Sequence, residues 1–356
     1  MLLLSSSATA SAATELRWFG DLRLRGVLES RENVEDHLKE QLRARVGVEA
    51  TVDPEVKGVI RLVTAKSHRS GNQGLGDASD PGGARRFIGI DVAYAEWTPM
   101  GLVKFDIGRI PQNQIKVGGS QIILDDDLAL EGFSVSAEPA LNDSLNLIAN
   151  AGSDWIRENY DSYYSTKNAD NTINWAQLAL RAKLRERESL LVGTGFHAFT
   201  SLKGMTFNEL SVGGASFGNT EKPAGKVKNE YLAREFFAEW RAPLGSMIST
   251  VALQHVLNTS TGDPNRAWWL SLNVAEPRVW DIQVSFELVE SDAVPGVFTD
   301  SDFANGFVDA AGFIISSRWF FGRGLQLRLT QYLNKVERST NDIQYLRTHL
   351  DLSASF

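Results

Sequence analysis

The chain has 356 residues, a formal net charge of -8 at pH 7, no Cys, and 43% hydrophobic against 22% charged residues. A chain without Cys has no disulfide framework, no thiolate metal site and no thiol nucleophile. The acidic balance argues against a general nucleic-acid binder, and the lack of any apolar run of about 18 residues argues against spanning helices. Thirty Gly and 10% aromatic residues lean toward an all-β chain with many turns.

The first residues, 1–12, read MLLLSSSATASA. A short apolar start leads to Ala10-Ser11-Ala12, an A-x-A-type cleavage site, so the segment is expected to be a signal-peptide remnant. No Lys or Arg precedes the apolar part, as a full signal peptide would require. Residues 13–356 are expected to form one domain.

From there the chain alternates with a period of two. Leu22, Leu24, Gly26 and Leu28 share one face, and Asp21, Arg23 and Arg25 the other. Leu42, Ala44, Val46, Val48 and Ala50 alternate with Gln41, Arg43, Arg45 and Glu49. Ala176, Leu178, Leu180 and Ala182 alternate with Gln177, Arg181 and Lys183, and Ile282, Val284 and Phe286 with Asp281, Gln283, Ser285 and Glu287. Such alternation marks half-buried strands without saying which face is inside.

Strands are predicted at 17–29, 39–52, 56–66, 87–97, 102–109, 130–138, 145–151, 174–185, 190–198, 231–242, 247–256, 267–275, 280–289, 306–320, 325–333 and 345–356. Several run about 10 to 12 residues, the length of a tilted membrane-spanning strand. The connections alternate short and long, with seven short turns and eight long loops. That layout suits a transmembrane antiparallel β-barrel of sixteen strands, with short periplasmic turns and long extracellular loops. All ten prolines fall in the turns and loops, where no ladder hydrogen bond is lost. Eighteen strands is the alternative, because Thr206 to Phe217 has a strand-like pattern inside the long loop 199–230.

In the last strand Leu346, Thr348, Leu350, Leu352, Ala354 and Phe356 share a face, and the chain stops on the aromatic. This resembles the C-terminal assembly signal of bacterial outer-membrane barrels, with Phe356 as its end. Trp18-Phe19-Gly20-Asp21-Leu22-Arg23-Leu24-Arg25 resembles a porin first strand. Phe105-Asp106-Ile107-Gly108-Arg109 is similar to the porin strand that leads into the third long loop. Leu124-Asp125-Asp126-Asp127-Leu128-Ala129-Leu130-Glu131-Gly132-Phe133 resembles the acidic return of that loop. The chain as a whole resembles the general porins of the bacterial outer membrane, of the 16-stranded type.

The resemblance implies passive diffusion of small hydrophilic solutes and ions, no catalysis and no cofactor. It implies a homotrimer, with outer-membrane lipid, lipopolysaccharide and the barrel-assembly machinery as partners. It also implies that a loop at about 110–129 folds into the lumen and narrows the pore. Carboxylates on such a loop facing guanidinium groups on the wall set a transverse field and a charge filter. The carboxylate candidates are Asp125, Asp126, Asp127 and Glu131. The guanidinium candidates are Arg23, Arg25, Arg43, Arg45 and Arg61 on early strands, with Arg328 and Arg347 on the last two, together forming one basic wall. Asp106 and Lys104 are further candidates.

Enzymatic and metal chemistry has little footing. His37, His68, His197, His255 and His349 lack metal-ligand spacing, and there is no H-E-x-x-H or P-loop pattern. The run Asp300-Ser301-Asp302-Phe303-Ala304-Asn305-Gly306 lacks the ligand spacing of a Ca²⁺ loop and is expected to be a polar surface loop. The alternatives left open are a substrate-selective channel for sugars, anionic oligosaccharides or phosphate, an outer-membrane hydrolase using His197 or His349, and a soluble secreted β protein.

Overall fold

The computed structural model describes residues 15–65, 70–76, 86–159, 170–210 and 215–356. Residues 1–12, read above as a signal-peptide remnant, lie outside the described residues. Sixteen wall strands are present among those described: β1 (Glu15–Arg31), β2 (His37–Asp53), β3 (Val56–Ala65), β4 (Phe87–Trp97), β5 (Val103–Ile110), β6 (Leu130–Ala137), β7 (Leu145–Arg157) and β8 (Asn171–Arg185). They continue as β9 (Glu188–Phe199), β10 (Tyr231–Leu244), β11 (Met247–Asn258), β12 (Arg266–Glu276), β13 (Trp280–Val289), β14 (Ala310–Phe321), β15 (Leu325–Val336) and β16 (Ile343–Ser355).

Each strand pairs antiparallel with the next. β16 returns to β1, with Asp21 opposite Ser355 and Arg31 opposite Tyr345. The sheet is thus a closed barrel, and its paired strands satisfy their hydrogen bonds within the wall, as a bilayer demands. Beyond β16, Gly20 and Phe356 exchange both backbone hydrogen bonds at 3.1 Å. A Cβ on Gly20 would lie 2.6 Å from the Phe356 ring, so glycine there lets the terminal aromatic lie across the seam.

The alternation resolves into lipid and lumen faces. Leu22, Leu24, Leu178, Leu180, Leu270, Ile282, Val284, Leu350 and Leu352 are exposed on the outside. Exposed rings form two girdles, Trp18, Trp97, Trp319, Phe321 and Phe356 at the short-turn end and Phe87, Trp155 and Trp268 at the long-loop end. Such belts suit the two headgroup regions. Among the described residues no helix is long and apolar enough to cross a membrane, and the barrel crosses with strands.

Two expectations are corrected. The extra hairpin of an 18-stranded wall does not form: Phe207–Leu210 is a helical turn, and the only ladder described in that loop pairs Glu221–Lys222 with Lys226–Val227. Residues 300–306 are not a polar surface loop. The connection 290–309 enters the barrel, where Asp300, Phe303, Ala304 and Gly306 are buried. It packs with Ile122, Ile123 and Leu124 of the 111–129 loop against Ile173, Trp175, Phe199, Tyr231, Val256, Trp269 and Val289 of the wall. One side of the lumen is therefore an apolar core. Burying a side chain such as Phe303 there stabilises by about 1.5–3 kcal/mol.

Candidate pore constriction

The 111–129 loop leaves β5 and runs across the lumen to the wall from β8 to β13. Ile115 N–H donates to Gln177 Oε1 at 2.6 Å and Gly118 N–H to Glu239 Oε2 at 2.9 Å. Gln283 Nε2 donates to Gly118 O at 2.9 Å, and Ser120 Oγ to Gln254 Oε1 at 2.5 Å. Gly118 has φ +56°, and a Cβ there would overlap Ser271 Oγ and Ala252 Cβ. Only glycine allows both that backbone and that approach.

Behind this contact lies buried Glu235. Its carboxylate accepts from Gln177 Nε2 at 2.7 Å and Gln254 Nε2 at 2.5 Å, and lies 3.0 Å from His197 Nε2. Gln177 and Gln254 also hold the loop, so one buried carboxylate fixes the two amides that fix it. At the loop's start, Asn113 Nδ2 donates to Asp106 Oδ2 and Ser134 Oγ, both at 2.7 Å. Lys104 Nζ lies 2.9 Å from buried Asp106. Asp106 and Lys104 thus anchor the root of the loop.

The three loop aspartates have three different surroundings. Asp127 faces the arginine side, 3.6 Å from Arg43. Asp126 is largely exposed and pairs with Lys116 at 2.5 Å. Asp125 is buried between the two inward loops: its N–H donates to Phe298 O at 2.8 Å, and its Oδ2 accepts from Ser301 N–H at 2.8 Å. Burial, with Asp127 beside it, raises the Asp125 carboxyl above its ordinary range. Burial also pushes Asp300 well up, with Asp125 and Asp302 adding to it. Asp302 goes the other way: burial opposes ionisation, but Arg25, His349 and Arg347 hold its carboxyl well below the usual range.

Glu131 is corrected. Gly132 is buried, and Ser134 faces inward to Asp106. Alternation along β6 therefore turns Glu131 to the outer face, where it is exposed and lies 3.4 Å from Arg109.

The single basic wall expected from seven arginines is divided. Arg43 and Arg45 bind Asp21 at 3.3 and 2.7 Å, and Arg61 binds Asp91 at 2.6 Å, with Arg45 3.9 Å from Asp91. Arg23 donates to Asn72 at 2.5 Å and stands directly across the ladder from Arg43. These four make a ladder on β1, β2 and β3. Arg25 and Arg347 are buried elsewhere, on Asp351, Glu29 and Asp302. Arg328 donates to Ser316 Oγ at 3.1 Å, opposite Arg318 and away from the ladder. Among the described residues no group of three His, Cys, Asp or Glu has metal-binding geometry.

A family model described as "Putative porin" matches residues 19–228 and 246–356. The chain belongs to this porin family. No curated protein matches the sequence. Among solved structures, the porin is similar to the Salmonella typhi OmpF complex with daunomycin, at 11% identity and TM-score 0.56, covering 96% of this chain and 97% of that one. It is similar to in-vitro folded OmpT, an outer membrane protein of Vibrio cholerae, at 12% identity and TM-score 0.54, over 98% and 99% of the two chains. A mutant of the Rh. blastica porin matches at 12% identity and TM-score 0.51, over 96% and 100%. At such identities these likenesses show the fold. Family and fold place this porin in the bacterial outer membrane as a channel-forming barrel.

Proposed function

We propose that this porin passes small hydrophilic solutes and ions by passive diffusion, through a pore narrowed where the 111–129 loop meets the β1–β3 arginine ladder. The observation that carries this is Asp127 on the loop facing Arg43 on the wall at 3.6 Å inside a closed 16-stranded barrel. Fixed opposite charges at the edge of a water path set a local field that orients polar solutes and filters ions. No covalent chemistry and no cofactor enter this reading. The proposed assembly is a homotrimer, supported by the trimer form solved for Vibrio cholerae OmpT. The two aromatic girdles support contact with outer-membrane lipid and lipopolysaccharide, and Phe356 at the seam supports handling by the barrel-assembly machinery through β16.

Purified protein in a planar lipid bilayer is expected to give discrete conductance steps in symmetric KCl, with closures in threes. Folded, inserted protein that gives no steps sinks the reading.

Selectivity for an anionic solute is the second reading. Arg23 and Arg43 stand opposite each other, and among the described residues the Nε donors of both have no hydrogen-bond partner. Two like charges placed so are stabilised by an anion between them. Saturable block of the KCl current by phosphate or a sulfated sugar supports it; a linear, unblocked current counts against it.

A further inference from the structure

The connection between β13 and β14 is built as carefully as the 111–129 loop. At its first residues Asn219 Nδ2 donates to Ser291 O at 2.6 Å and Val294 O at 2.9 Å, while Gly296 N–H donates to Asn219 Oδ1 at 2.7 Å. Asn258 at the upper end of β11 donates to Asp292 O at 2.9 Å. In its middle, Thr299 Oγ1 donates to Ile122 O at 2.8 Å, next to the Phe298–Asp125 and Ser301–Asp125 bonds given above. Further on, Asp302 lies 3.0 Å from Arg25 and 3.3 Å from Arg347. Arg347 also donates to Ser301 O at 2.9 Å and Asn305 Oδ1 at 2.7 Å. The loop thus crosses the lumen from β11 to the β1–β16 seam and is braced midway on the other inward loop.

Its composition matches that course. Val294, Val297, Phe298 and Phe303 are buried inside the barrel. A loop that stood in solvent above the rim would expose them. Its Asp302 lies between two buried guanidinium groups, Arg25, which also pairs with Asp351, and Arg347, which also pairs with Glu29.

From this we infer that residues 290–309 form a second pore-narrowing element, which closes the lumen on the β11–β16 side and leaves the solute path along the arginine ladder of β1–β3. The inference rests on the porin reading above and adds to it the element that sets the path's width. The 111–129 loop supplies one edge of the path. The 290–309 loop holds that edge from behind and excludes water from the other side.

The test uses the full chain in planar bilayers and in liposome swelling with sugars of increasing size. Replacing residues 294–305 by a short Gly-Ser linker is expected to raise the single-channel conductance by about twofold or more and to admit larger sugars. Unchanged conductance and size cut-off from a folded deletion variant overturn the inference. A wild-type protein without conductance would overturn the porin reading instead, so the two failures are distinguishable. Where the deletion does not fold, Ser301→Cys decides. The chain has no Cys of its own, and Ser301 is exposed. Thiol reagents of opposite charge added to Ser301→Cys channels are expected to alter the current in opposite directions. No effect of either reagent, with labelling confirmed by mass, overturns the inference.

Discussion

Arg25 and Asp302 stand 277 residues apart in the chain and meet at 3.0 Å inside the barrel. Arg25 also holds Asp351 across the seam, with Nε at 2.6 Å and Nη2 at 3.0 Å. The strand that opens the barrel, the strand that closes it and the second inward loop therefore share one guanidinium. Asp302→Asn keeps the shape and removes the charge. It is expected to loosen loop seating by about 2 kcal/mol, the scale of a charge-assisted hydrogen bond on a partly exposed group. Arg25→Ala also strands buried Asp351, so it is expected to cost more, about 3–5 kcal/mol. Limited proteolysis within 290–309 reads the first effect, and loss of heat-modifiable gel migration reads the second. Equal effects from both variants count against the shared-guanidinium arrangement.

Glu235 offers a separate test on the other loop. Glu235→Ala leaves Gln177 Nε2, Gln254 Nε2 and His197 facing an apolar gap, a loss of about 1–3 kcal/mol for each buried group left unpaired. The 111–129 loop should then lose its seat, with noisier open-channel current and a larger mean conductance. Glu235→Gln, which keeps the shape and part of the bonding, should fall between this variant and wild type. Gly118→Val attacks the same contact from the loop side and should mimic the alanine variant. A quiet, wild-type trace from Glu235→Ala would show that the loop is held without Glu235, by its other hydrogen bonds and its apolar contacts.

Ion preference should follow the charges that face water rather than those that brace loops. Neutralising Arg43 and Arg45 together is expected to shift the reversal potential in a KCl gradient toward cations, and Asp127→Asn toward anions. Each shift should be a few-fold in permeability ratio, the scale of one charge at contact distance in a water-filled pore. Asp125→Asn should change selectivity little, because Asp125 is buried between the loops. A larger shift from Asp125→Asn than from Asp127→Asn would reverse the assignment of their roles.

The wall was legible because the bilayer imposes a one-sided contrast. Leu22, Leu178 and Ile282 face lipid while Asp21, Gln177 and Asp281 face the lumen, and a period of two reveals that directly. Boundaries slipped where the contrast fades. β7 runs on past residue 151 to Arg157, with outward Ser153 hydrogen-bonded to Asn174 near the rim. Glu131 was misplaced because it was read as the end of an acidic loop. Alternation of buried Gly132 and Ser134 with outward Phe133 and Val135 already carried the correct face. The seat of Asp302 had no local signal. A short acidic run in a long connection looks solvated until Arg25 and Arg347, remote in sequence, are placed beside it.

The carboxylates of the inward loops also predict a pH response, and its sign differs by residue. Asp125 and Asp300 have carboxyls raised in the seated loops, mainly by burial. Their contribution to seating is complete below the ordinary carboxylate value and is lost as pH rises through the raised values. Asp302 is depressed by Arg25 and its neighbours, so its contribution is complete above the ordinary value and is lost only as pH falls through the depressed one. Acidification from neutral should therefore tighten both loops first, by up to about 1.4 kcal/mol per pH unit for each group that takes up a proton. Stronger acid should release them as Asp302 is protonated and its bond to Arg25 weakens. The protection factors of residues 290–309, amide exchange relative to the intrinsic rate at each pH, should pass through a maximum in the mildly acid range. Asp302→Asn should keep the tightening limb and lose the acid release, and Asp300→Asn should flatten the tightening limb. Protection that is highest at neutral pH would show that Asp125 and Asp300 stay ionised in the seated loops.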